Sequence, residues 1–172
     1  KSKTLFLKSA SWFKKALKLD PNDIDTLVIC GGALCNAGKN KDALEVLDKS
    51  ITLKPKNRVT LENAFSNKAI TLMNLAENAK TEKEENKLYK RSIKCFDKAL
   101  RINPHRVHTR VNKWFVLNEL NIKNKEYYTL LDTVLLDNPQ EYYALWAKAE
   151  YLMHIRKFKF ALKILFIELK IV

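Results

Sequence analysis

Four segments of the chain end alike: ALKLDP (residues 16–21), SITLKP (50–55), ALRINP (99–104) and VLLDNP (134–139). Each places a small or slim residue five positions before a proline and a larger apolar residue directly after it. Proline clashes with a continuing helix and has no N–H to donate, so each segment reads as a helix end. The four prolines, Pro21, Pro55, Pro104 and Pro139, stand 34, 49 and 35 residues apart. A recurrence of about 34 residues is the period of a helix–turn–helix solenoid.

The positions before each proline share a face. Ser9, Ala43, Ser92 and Tyr127 lie twelve back, and Phe13, Leu47, Phe96 and Leu131 lie eight back. Ala16, Ser50, Ala99 and Val134 lie five back, and Leu17, Ile51, Leu100 and Leu135 four back. Spacings of three, four and seven put these on one side of a helix. Small residues there let a second helix come close. Between the prolines runs that second helix. After Pro21, Leu27, Cys30, Gly31 and Leu34 make its apolar stripe and Gly38 its C-terminal stop. The unit is two helices joined by a short turn.

Composition agrees. Apolar residues are 47% and charged residues 30% of 172, a globular balance. Only 3 Gly and 4 Pro suit helices with short connections rather than many strands and turns. No apolar run has the length of a membrane span. The cysteines, Cys30, Cys35 and Cys95, are odd in number and lack disulfide or zinc spacing, so they read as buried thiols in a reducing, cytoplasmic setting. The chain starts at Lys1 without Met, and the apolar segment 158–172 has no polar closing face. We therefore expect a piece of a longer array, or self-association through 158–172.

The residues just described resemble the tetratricopeptide repeat family. Leu27, Cys30, Gly31, Leu34, Ala43, Leu47, Ser50 and Pro55 fill its pattern over residues 24–57. Phe65, Lys68, Ala69, Leu72, Ser92, Phe96, Ala99 and Pro104 fill it over 58–106. Lys113, Trp114, Leu117, Tyr127, Leu131, Val134 and Pro139 do so in a degenerate form over 107–141. Leu145, Lys148, Ala149, Leu152, Phe158 and Ala161 begin a last repeat over 142–172, and residues 1–23 match the second helix of a partial repeat. The resemblance implies one all-α domain, a right-handed solenoid of antiparallel helix pairs with about nine helices.

Two departures stand out. The interval of 49 holds about 15 extra residues, assigned to 58–61 and 77–87 and expected to lengthen helices, since Glu, Lys and Ala favour them. Trp114 and Tyr127 stand where small residues are usual, which predicts a splayed helix pair and a change of pitch over 107–138.

No catalytic set is present. His105 and His108 lie three apart without a third ligand, Gly31-Gly32 sits in a helical stripe rather than a phosphate loop, and Glu84 and Glu85 belong to a charged run. The chain reads as a non-enzyme without cofactor or metal. The resemblance implies a concave groove lined by the first helix of each pair. Its usual inward positions fall on Asp25, Val28, Gly32, Cys35 and Asn36. The next helix adds Asn63, Ser66, Asn67, Ile70, Met73 and Asn74. The third adds His108, Val111, Asn112, Phe115, Asn118 and Glu119, and the last Tyr143, Trp146, Glu150, Met153 and His154. The site expected from these is Asn63, Asn67, Asn74, His108, Asn112, Phe115, Tyr143, Trp146 and Glu150. Amides bond a peptide backbone, and aromatic rings supply apolar anchors. The set holds no Lys or Arg, which argues against the family's grip on acidic chain ends.

The net charge of +13 falls mainly on the second helices and turns, from Lys14, Lys15 and Lys18 to Lys90, Arg91, Lys94, Lys98 and Arg101. The first expectation is a scaffold that binds a protein or peptide partner in the groove. The alternative is a helical-repeat protein that binds RNA or another polyanion through its basic outer surface.

Overall fold

The structure, a computed structural model, describes residues 2–122, 125–137 and 141–168. The side chains of Tyr143 and His154, those beyond 163, and Pro139 lie outside the described residues. Every regular element described is a helix: α1 (Ser2–Leu19), α2 (Ile24–Asn36), α3 (Asn40–Thr52), α4 (Arg58–Ala76), α5 (Glu82–Ile102), α6 (Val107–Glu119), α7 (Lys125–Asp137), α8 (Tyr142–His154) and α9 (Phe158–Glu168). We call α2, α4, α6 and α8 the A helices and the others the B helices. The chain forms two compact units, Lys1–Pro104 and His105–Val172. In the first, α1 packs on α2, α2 on α3 and α4, α3 on α4, and α4 on α5. In the second, α6 packs on α7 and α8, and α8 on α7 and α9.

The helix ends follow the local chemistry. Asp23 accepts the Thr26 amide, and Asn57 accepts those of Val59 and Thr60. The hydrogen bond from the Thr26 hydroxyl, ahead of smaller backbone contributions, holds the Asp23 carboxyl below its ordinary pKa. Thr81 accepts the Glu84 amide at 3.2 Å, and Glu82, Glu84 and Glu85 fill the first turn of α5, where the helix dipole favours acids. Gly38 follows α2 with φ +75°, a conformation that glycine adopts without strain. Residues 58–61 are the first turn of α4 and 82–87 the first turns of α5, leaving 77–81 as the link.

The small residues before the prolines are where helices meet. Ala43, Leu47 and Ser50 of α3 and Ser92, Phe96 and Ala99 of α5 have no exposed surface. A Cβ placed on Gly31 would lie 2.5 Å from Leu47 Cγ, so glycine is what lets α2 approach α3. The Ser92 hydroxyl donates to the Ala69 carbonyl at 2.8 Å, joining α5 to α4. In the second unit Trp114 and Tyr127 meet at the corresponding crossing. Their rings stack at 5.6 Å and 19°, both are sealed from solvent, and the Tyr127 hydroxyl donates to Asn118 Oδ1 at 3.0 Å. Tyr151 closes edge-on against both. Stacked rings thus fill the crossing that the other pairs fill with small residues.

Candidate functional site

Burial gives the A helices their open faces. On α2 these are Asp25, Ile29, Gly32 and Asn36, whereas Val28 and Cys35 are buried. The expected groove positions Val28 and Cys35 are corrected accordingly, and Ile29, 53% exposed, takes their place. A step of one residue turns a side chain by about 100°, and in the largely apolar α2 no polar contrast marks which neighbour faces out. On α4 the expected positions Asn63, Asn67, Ile70, Met73 and Asn74 are half-buried, Ile70 packing on the core, and Ser66 is buried. Asn67 lies against Gly32, its amide 3.5 Å from the Val28 carbonyl, and the Asn74 amide reaches Cys35 Sγ at 3.4 Å. Thr60 donates to Asp25 at 2.6 Å. Asn67 and Asn74 thus also join α4 to α2.

In the second unit α6 opens His108, Asn112, Phe115 and Glu119, and α8 opens Tyr142, Trp146, Glu150 and Met153. Val111 is buried and Asn118 is engaged by Tyr127, so neither is available as expected. Phe115 and Trp146 meet at 5.5 Å with a tilt of 42°, and Trp146 remains 44% exposed.

The basic residues of the A helices all turn away from these faces. Arg58 donates to the Ile102 carbonyl at 3.3 Å. Lys68 pairs with Asp48, Arg110 with Asp137, Lys113 with Glu126 and Lys148 with Asp132. Sequence reasoning placed Lys68, Lys113 and Lys148 in the repeat pattern but did not pair them. The signal was the acid on the neighbouring B helix. What remains charged on the open faces is acidic: Asp25 in the first unit, Glu119 and Glu150 in the second.

Burial pushes the thiols of Cys30, Cys35 and Cys95 above their ordinary pKa, which disfavours the reactive thiolate. Among the described residues no cluster of His, Cys, Asp and Glu is grouped to hold a metal, and no helix is long and apolar enough to cross a membrane.

No family model matches the chain. Over 69 residues it is 38% identical to Superkiller protein 3 of Saccharomyces cerevisiae, a match that takes 40% of this chain and 4% of that protein. A thermophilic TPR protein of Thermus thermophilus, TTC0263, superposes with a TM-score of 0.78 at 18% identity, over 94% of this chain and 80% of its own. A MamA structure gives 0.72 at 18% identity over 96% and 91%, and MamA 41-end from Desulfovibrio magneticus RS-1 gives 0.70 at 14% over 99% and 94%. Stacked antiparallel helix pairs, small residues at the crossings and these superpositions together make this an all-α solenoid with the tetratricopeptide repeat fold.

Proposed function

We propose that the chain is a non-enzymatic scaffold that holds a peptide or partner helix against the open faces of its A helices. The observation that carries this is the pair of half-buried Phe115 and exposed Trp146, on helix faces that also present His108, Asn112, Glu119 and Glu150. A protein of net charge +13 keeps this face clear of its own cations, with every A-helix Lys and Arg bonded elsewhere. The ligand that fits is neutral or basic with an apolar anchor. An acidic chain end meets Glu119 and Glu150 instead of lysines. In the first unit, Asn63, Asn36 and the exposed Ile29 extend this reading, while the Asn67 and Asn74 amides are bonded to α2. Peptides selected from a random library on the immobilised chain test this. Trp146→Ala should weaken their binding by about 2 kcal/mol, roughly thirty-fold, and Asn112→Ala by less, with helicity unchanged. Selected peptides that bind Trp146→Ala and Asn112→Ala as tightly as the original would sink the assignment.

The alternative, polyanion binding, has its own observation. Lys83, Lys87, Lys90, Arg91, Lys94, Lys98 and Arg101 recur at three, four and seven residues along α5 and are all exposed, forming one continuous basic stripe. Lys98 covers the Phe65 ring; of the acids of α5, Glu82, Glu84 and Glu85 lie in its first turn and Asp97 lies beside Lys98. Tyr89 and Phe96 are buried, so the stripe offers phosphate contacts without a base-stacking platform. Titrating labelled oligouridine at several salt concentrations decides it. If about six phosphates engage, log K falls against log salt with a slope of about −4. A flat response would remove the alternative.

A further inference from the structure

We propose that a cavity in the second unit, apart from the open faces of the A helices, binds a small aromatic carboxylate. The cavity has a volume of about 220 Å³, and all of its lining lies between residues 114 and 157. Trp114 comes from α6, Tyr127 and Leu131 from α7, Tyr151 from α8, and Ile155 from the turn that follows. Close-packed interiors keep few spaces larger than a water molecule. A space of this size, mostly apolar inside with a few polar groups at its edge, is the kind that takes a small molecule.

The cavity sits where the chain departs from its own repeat pattern. At the crossing of α2 and α3 a Cβ on Gly31 would meet Leu47 Cγ at 2.5 Å. At the corresponding crossing of α6 and α7 stand Trp114 and Tyr127, and the space lies beside their stacked rings. Both are sealed from solvent, so packing fixes where they stand. Tyr151 meets them edge-on, with ring centres 6.3 and 5.7 Å away. A flat ring suits such a wall, because aromatic rings attract one another in offset-stacked and edge-on arrangements. A cavity of about 150 Å³ is enough for benzene, so this one has room for two fused rings or for one ring with a short arm.

Charge at the mouth defines what the ring carries. Asp132 and Lys157 are exposed members of the lining, and Lys148 lies between them and the rings. Asp132 is taken up by Lys148 at 2.6 Å, and the same ammonium stands 5.8 Å from the centre of the Tyr151 ring. The rim thus has two lysines against one aspartate, and Arg156 and Lys159 flank Lys157 within two residues. A carboxylate at the edge of the ligand meets this surplus while its ring enters the apolar interior. An ammonium at the same edge would be repelled by Lys157. Lys148 turns away from the face that carries Phe115 and Trp146, so the cavity and the proposed groove are separate places.

The probe is naphthalene carboxylate, titrated into the full chain by calorimetry, with its neutral amide and the corresponding aminomethyl compound for comparison. One-to-one saturable binding below about 1 mM is expected for a ligand of this size, with the amide weaker and the amine weakest. Lys157→Gln, at an exposed position, should weaken the carboxylate about fivefold, the scale of an ion pair at a wet rim, and leave the amide unchanged. Ile155→Phe should weaken both by filling the space, with helicity as the check on folding. No saturable binding, equal binding of carboxylate and amine, or a Lys157→Gln variant that binds the carboxylate as tightly as the original overturns the proposal. So does loss of binding in Trp146→Ala, which would put the ring on the open face of α8 instead.

Discussion

Trp114→Ala is expected to destabilise the second unit by about 3–5 kcal/mol, the range for removing a fully packed aromatic side chain. Trp114 is 2% exposed and touches three rings: Tyr127 stacked at 5.6 Å, Tyr151 edge-on at 6.3 Å and Phe115 edge-on at 5.1 Å. Regular repeats of this chain close the same crossing with small residues, so no neighbour is positioned to collapse into the space. A cavity of about 220 Å³ already borders Trp114, Tyr127, Leu131 and Tyr151 and would enlarge. Hydrogen exchange of α6 and α7 in urea measures the loss. Trp146→Ala, on the open face, is the comparison and should cost far less. Free indole should recover part of the loss by refilling an apolar void. Equal effects of the two substitutions would mean that the crossing is not held by the rings.

Leu47→Ala is expected to cost about 2–5 kcal/mol, because Leu47 is wholly buried in the first unit. Gly31→Ala opposes two effects. Alanine gains about 1 kcal/mol over glycine in a helix interior, whereas overpacking costs about 1–3 kcal/mol. The added Cβ meets Leu47 Cγ at 2.5 Å, a branch point rather than a mobile chain end, so crowding wins and the variant is less stable. Combining the two changes removes the clash and partly fills the void. The double variant should therefore lose less than the sum of the single losses. Additive losses, or a stabilised Gly31→Ala, would contradict the close approach of α2 and α3. Denaturant unfolding of the four proteins completes the cycle.

The fold was legible because its punctuation is chemical. Proline positions forecast helix ends ahead of Pro21, Pro55 and Pro104, and the observed ends are Leu19, Thr52 and Ile102. Slim residues at fixed distances from the prolines marked the crossings. The open faces were less legible for a reason visible in α2. Its sequence IDTLVICGGALCN is apolar almost all round, so the choice between Val28 and Ile29 depends on where α4 lies, a tertiary fact. On α5 the dense lysines mark the exposed face without ambiguity. The pairing of Lys113 and Lys148 with acids of B helices escaped the sequence because residues 13 and 16 positions apart carry no local signature.

The linear order of contacts in the first unit gives α1 a role beyond its own surface. Among the described residues α1 packs chiefly against α2, whereas α2 and α4 each touch several helices. Opening such a stack begins at its thinnest edge and travels inward, as a zip does. Amides of α1 should therefore exchange with solvent before those of α4, whose contacts are shared among several helices.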